Sequence, residues 1–324
     1  MALELGSKIK DYHIKELQHD DAGEYREVYK ATDDRDGTVV AMIVYTIGKL
    51  EERLQLLPIL ETDMRANLYR PAFAPMTDWG EATLSDGQKI EFCIIDYWLL
   101  EPVADIRNYN SVLSQEESWK VFCDVIAGAN EIAHYAEGAC HFNICPSTVS
   151  ITRDVKGERR GDLNGLQFVS NDFVNNKTID KHLLDTRYRA PEGYDGPLTP
   201  KSMQFSLAVL LATMLQGHHP WMLQGDNKQR SRCRIERLEP QVNVGAALSA
   251  CLIKAMALNP DDRYATMDEF VDAVMRFCPH PLPDDYVGFS HVQLRKYPST
   301  DAELVAEIRA NLEWLRNTEL GLNK

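Results

Sequence analysis

Positive charge is what this chain has least of. Against 49 acidic side chains stand 35 lysines and arginines, a formal net charge of −14. That balance argues against binding to nucleic acid or to anionic lipid, because both reward a positive surface. Long apolar runs are also missing. The longest, Phe205 to Leu215 (FSLAVLLATML), is interrupted by Ser206 and Thr213. It falls well short of the ~20 residues of a membrane-spanning helix and reads as a buried helix. The opening residues, MALELGSKIKDYHIKEL, lack the positive flank and apolar block of a signal peptide. The seven cysteines are odd in number and show no Cys-x-x-Cys spacing, which suits reduced thiols and predicts a cytoplasmic protein. Cys140 and Cys145 have no second Cys/His pair beside them, so no metal site is expected there.

What is present is a change of pattern along the chain. TVVAMIVY (Thr38–Tyr45) and KIEFCIIDY (Lys89–Tyr97) are β-branched and aromatic runs, each preceded by a turn signal, DDRDG and SDG. Between them, roughly Leu50 to Leu68, apolar residues recur at helical spacing (Leu56, Ile59, Leu60, Met64). Beyond Pro102 the chain becomes helical. Ser114 and Glu117 have the spacing of a capping box, and Trp119, Phe122, Val125, Ile126, Ala129, Ile132 and Ala133 form the stripe that follows. Further helical blocks span Ser202–Gln216, Gly245–Ala257 and Thr266–Phe277. Pro279–Gly288 reads as a linker. A last amphipathic helix, capped by Thr300 and Glu303, carries Leu304, Ile308, Leu312 and Leu315 and is expected to pack on the body or on a partner. A strand-rich third followed by helices predicts an α+β protein of two lobes.

Three segments in the second half carry a more specific resemblance. RYRAPEGY (Arg187–Tyr194) contains Ala-Pro-Glu, SMQFSLAVLLATMLQGHHPW (Ser202–Trp221) is a buried helix ending in Gly-x-x-Pro-Trp, and CLIKAMALNPDDRYATMDEF (Cys251–Phe270) contains a lone internal Arg263. Their order and separation resemble the protein kinase fold, over roughly Tyr12 to Phe277, and most nearly the bacterial eukaryotic-like Ser/Thr kinases. The resemblance implies a bilobal fold with a small β-rich lobe at 1–101, a helical lobe at 102–278, and a linker with a C-terminal helix at 279–324. It also implies a buried ion pair between Glu192 and Arg263.

At the positions where kinase chemistry resides, the sequence departs from the family. Kinase catalysis is positioning plus charge stabilisation of a transferring phosphoryl group, so it needs particular charged residues. In the phosphate-covering loop, LQHDDAGEYREVYKA (Leu17–Ala31), Gly23 matches one glycine and Val28 and Ala31 fit, but Asp21 and Arg26 replace the other glycines. Where the phosphate-holding lysine should follow Val40-Ala41, the sequence has Ile43; Lys30 and Lys49 are out of frame. Glu61 matches the partner of that lysine, and either pairs with another cation or faces solvent. The catalytic loop corresponds to HFNICPST, His141 to Thr148. Phe142 replaces its arginine, Asn143 its proton-accepting aspartate, Cys145 its lysine and Thr148 its metal-binding asparagine. An amide has no useful basicity. His141 reads as a satisfied core histidine. The metal-binding Asp-Phe-Gly has two candidate frames, SND (170–172) and DFV (172–174), and Asp172 also reads as a turn cap. Met203 replaces the aspartate that braces the catalytic loop.

These departures predict a pseudokinase, not an enzyme, with no catalytic residues (Ile43, Asn143, Cys145 and Thr148 being the altered positions) and no bound cofactor or metal. Gly23, Val28, Ala41, Glu61 and Asp172 remain as candidate nucleotide-site residues. The expected partner is another protein, reached as a scaffold or regulator. Two alternatives stay open: a non-standard nucleotide-dependent transferase, and a metal-independent nucleotide sensor.

Overall fold

The computed structural model describes residues 3–21, 25–50, 55–68, 73–74, 76–97, 113–136, 138–153, 159–170, 179, 184–194, 196–221, 239–284, 286–291 and 301–318. The chain divides into two compact units, Met1–Glu101 with Lys296–Lys324, and Pro102–Arg295.

The first unit is built on a six-stranded antiparallel sheet. Its strands are β1 (Lys8–Ile9), β2 (Tyr12–Asp21), β3 (Arg26–Asp33), β4 (Val39–Thr46), β5 (Met76–Thr83) and β6 (Lys89–Asp96), in the order β1-β2-β3-β4-β6-β5. Side chains alternate between the faces of a strand. Val40, Met42 and Val44 therefore pack in one core with Tyr12, Ile14, Tyr29, Phe92 and Ile94, and Ala41, Ile43 and Tyr45 point the other way. Cross-strand pairing places Val28 opposite Ile43, and Arg26 opposite Tyr45, on that second face. Helix α1 spans Leu57–Asn67. It begins later than the periodicity predicts: a 3-10 turn occupies Ile47–Lys49, and Pro58 sits in the first turn of the helix, where its missing N–H is harmless.

The second unit is mainly helical. Helix α2 (Gln115–Tyr135) starts at the Ser114–Glu117 capping box, with both reciprocal hydrogen bonds formed. Short strands follow: β7 (Cys140–His141), a hairpin of β8 (Val149–Arg153) and β9 (Arg159–Leu163), and β10 (Val169–Ser170), which pairs with β7. Helix α3 (Pro200–Gln216) is buried all round from Met203 to Ala212, with the two polar residues of that span hydrogen-bonded, Gln204 to the Tyr264 and Thr266 carbonyls and Ser206 to the Tyr188 carbonyl. Helices α4 (Ala246–Ala255) and α5 (Met267–Met275) complete the unit.

The segment that reads as a linker from its prolines is held in place. Val287 N–H donates to Asn130 Oδ1 at 3.4 Å, His134 Nε2 donates to the Gly288 carbonyl at 3.1 Å, and Phe289 N–H donates to Asp268 at 2.7 Å. The last helix, α6 (Asp301–Thr318), packs on α1 within the first unit. Ile308 and Leu312 are buried there, each contributing roughly 1.5–3 kcal/mol. Arg309 reaches Glu81 at 2.9 Å and Glu91 at 3.3 Å. Thr300, the expected cap, lies outside the described residues. No helix among the described residues is long and apolar enough to cross a membrane.

Candidate active site

In the first unit the lysine position is filled by an apolar side chain. Ile43 is buried at 1% exposure on β4, beside Ala41 and opposite Val28, so it serves the packing of the second sheet face. The cation arrives from the neighbouring strand. Arg26 Nε and Nη2 donate to the two oxygens of Glu61 at 3.2 and 3.1 Å, and Arg26 Nε also reaches the Tyr45 hydroxyl at 3.1 Å. Arg65, one turn along α1, donates to Glu61 Oε1 at 2.8 Å. Of the two readings open for Glu61, the structure therefore shows a paired, fully buried carboxylate. Burial alone would raise its pKa, but the charges and hydrogen bonds of Arg26 and Arg65 outweigh it and hold Glu61 below its ordinary range. Arg26 is the residue that stands at a family glycine in the sequence. Gly23 lies outside the described residues.

In the second unit the catalytic-loop residues form a closed hydrogen-bonded turn. His141 is fully buried, donates from Nε2 to the Asn164 carbonyl at 2.8 Å, and accepts the Asn143 N–H on Nδ1 at 3.3 Å. Burial lowers its pKa to about 4, so it is neutral over the physiological range. Phe142 is buried, and its N–H donates to the Phe168 carbonyl at 2.9 Å. The Thr148 hydroxyl turns into the loop, bonding the carbonyls of Asn143 and Cys145 and accepting the Cys145 N–H. Burial, and next the charge of Asp185, raise the pKa of the Cys145 thiol, which disfavours the reactive thiolate.

Asn143 has a partner the sequence did not suggest. Its Oδ1 accepts the backbone N–H of Asp185 at 2.8 Å, 42 residues further on. The bond is made by the Asp185 backbone, and ties residue 185 to the amide that replaced the family aspartate. Asp185 is held by Arg187, through Nε at 2.9 Å and Nη2 at 2.5 Å. Immediately beyond, Glu192 and Arg263 are brought together, and the Ser202 hydroxyl donates to Glu192 Oε1 at 2.7 Å. Met203 is a core residue with no exposure.

Of the two frames for a metal-binding triad, 170–172 and 172–174, only Ser170 is among the described residues. Ser170 belongs to β10 and pairs with Cys140, and Asp172 lies outside the described residues. The residue that follows the β8–β9 hairpin and meets His141 is Asn164, whose Nδ2 donates to Ser150 Oγ at 3.0 Å. The Thr148 hydroxyl is turned into the loop, and among the described residues no group of three or more His, Cys, Asp or Glu converges.

The six-stranded sheet with α1, the helical second unit and the loop geometry together define a kinase-like α+β fold. The chain is similar to serine/threonine-protein kinase PknB of Mycolicibacterium smegmatis, 24% identical over 69% of this chain and 36% of that protein. It is also similar to a probable serine/threonine-protein kinase of Streptomyces coelicolor, 25% identical over 76% of this chain and 37% of that protein. Serine/threonine-protein kinase PknE of Mycobacterium tuberculosis is 23% identical over 91% of this chain and 51% of its own length. The chain therefore spans between about a third and a half of the relatives it matches. No family model matches it.

These relatives correct the expectation that the chain is not an enzyme. All three are named as protein kinases, and that similarity points to an enzyme. The expectation was drawn from missing residues at Ile43, Asn143, Cys145 and Thr148.

Proposed function

We propose that the chain is a protein kinase-type transferase that modifies a hydroxyl group of a partner protein, with Asp185 as the carboxylate of its catalytic loop. The observation that carries this reading is the Asp185 N–H bond to Asn143 Oδ1, which ties an ionisable residue to the amide in the aspartate's place. In the proposed step the substrate hydroxyl oxygen attacks the terminal phosphorus of a nucleoside triphosphate. Its proton passes to the Asp185 carboxylate, and the bond from phosphorus to the bridging oxygen breaks to release the diphosphate. The names of the relatives support the reaction class. The Arg26–Glu61 pair supports a first unit that keeps a cation on its helix glutamate despite Ile43.

The test is transfer of labelled phosphate from ATP, with Mg²⁺ or Mn²⁺, to the chain itself and to a serine- and threonine-rich protein. Asp185→Asn keeps the backbone N–H that binds Asn143 and removes only the carboxylate. Wild-type transfer that falls in Asp185→Asn supports the reading, and equal transfer by both sinks it.

A second reading is a scaffold or regulator that binds a partner protein. It is favoured by the Glu192–Arg263 anchor, which fixes the end of the 184–194 segment and would hold a docking surface in one conformation. Pull-down with Asp185→Asn distinguishes the two, since a binding role does not need that carboxylate.

A further inference from the structure

Two cysteines far apart in the sequence meet in the second unit. Cys123 lies on the buried side of α2, and Cys278 follows α5 on a turn; their sulfurs are 3.7 Å apart across 155 residues. Cys278 is half-buried, so a small reagent has access to it, and Cys123 is enclosed behind it. We propose that Cys123 and Cys278 form an oxidation site that a hydroperoxide converts to a disulfide.

The surroundings favour an order of events. Hydrogen bonding from Cys123, helped by the His280 N–H at 3.4 Å and opposed by burial, lowers the Cys278 thiol to about 7. The same contact, with burial, raises Cys123. Cys278 is thus the thiolate, and the thiolate is the reactive form. Its sulfur attacks the terminal peroxide oxygen, the O–O bond breaks, and the departing hydroxide or alkoxide takes a proton to leave as water or an alcohol. The product is a sulfenic acid on Cys278. Cys123 then attacks that sulfur, the S–O bond breaks, and the Cys123 proton leaves with the hydroxide as water. The two thiols lose two electrons in total and the peroxide gains them. Closing from 3.7 Å to a bond of about 2 Å requires side-chain rotation. Cys278 stands on a turn beyond the last residue of α5 and is the partner placed to make it.

The bond would fasten a particular segment. From Cys278 the chain runs to Gly288, where Asn130 and His134 of α2 already hold it through one hydrogen bond each. A disulfide at Cys123 adds a covalent attachment to the same helix, nearer its start. The buried thiols of Cys93 and Cys140 are raised by burial and provide unreactive references within the chain.

The experiment treats the reduced full-length chain with stoichiometric hydrogen peroxide, followed by non-reducing digestion and mass spectrometry. The expected product joins the Cys123 and Cys278 peptides, is absent in Cys278→Ser, and reverts with dithiothreitol. In Cys123→Ser, dimedone should trap a sulfenic acid on Cys278. Amide exchange between residues 278 and 290 should slow at least several-fold in the oxidised wild type and not in either variant. Oxidation of Cys251 ahead of Cys278, or over-oxidation of Cys278 without cross-linking, would overturn the proposal.

Discussion

Arg263 grips Glu192 with two parallel hydrogen bonds, 2.7 Å from Nη1 to Oε1 and 2.8 Å from Nη2 to Oε2, across 71 residues. The guanidinium side chain is fully buried, and its remaining donors reach the carbonyls of Lys201, Ala257 and Leu258. Truncating one partner strands the other charge, so Glu192→Ala should cost about 3–5 kcal/mol, measured by denaturant unfolding. The pair also sets a pH dependence. Burial opposes the charged carboxylate, but the Arg263 bonds prevail and hold its pKa below the ordinary 4.5. Its stabilisation is therefore complete above that value and is lost as pH falls through the lower folded-state pKa. Glu192→Gln should flatten the acid limb of the stability profile.

Glu61 is shared by two arginines, and that asymmetry is measurable. Removing the carboxylate leaves both Arg26 and Arg65 buried without it, whereas removing Arg26 leaves the Glu61–Arg65 bond at 2.8 Å. Glu61→Ala should therefore cost more than Arg26→Met, with the former on the order of 3–5 kcal/mol. Thermal unfolding of the two variants side by side checks the order.

His141 supplies a pH signature of the same sign in a higher pH window. Burial lowers its pKa from 6.5 to about 4, so the unfolded chain binds more protons between those values. Stability contributed by the neutral ring is present above pH 6.5 and declines toward pH 4, by about 3 kcal/mol in all. His141→Asn should lower stability at pH 7.5 but reduce the slope between pH 6.5 and 5.

Gly165 adopts φ +79°, and a Cβ there would come within 2.9 Å of Thr148 Cγ2. Gly165→Ala should cost about 1–3 kcal/mol through backbone strain alone. Pairing it with Thr148→Ser, which removes that methyl group and keeps the hydroxyl, should recover the steric part only.

What was legible in the sequence was local. RYRAPEGY and the largely apolar α3 announce themselves within about twenty residues, because turn chemistry and hydrophobic period are short-range properties. The Ser114–Glu117 box was legible for the same reason. The site was not, since its key relations are tertiary. Strand pairing carries Arg26 to α1, and the turn at Asp185 returns to Asn143 from beyond residues 171–178. The prolines of 279–288 read as a linker because the sequence does not show Asn130 and His134 waiting on α2.

Under the proposed function, Asp185 serves as the carboxylate of the loop in which Asn143 stands at the family aspartate. A charge swap tests it most directly: initial rates of phosphate transfer from ATP by wild type, Asp185→Asn, and Asp185→Asn combined with Asn143→Asp. General-base removal typically costs on the order of 10²–10⁴ in rate. Asp185→Asn should show a loss of that size, and the double variant should regain a measurable part of it. Undiminished transfer by Asp185→Asn, or no transfer by wild type with either metal ion, would contradict the account.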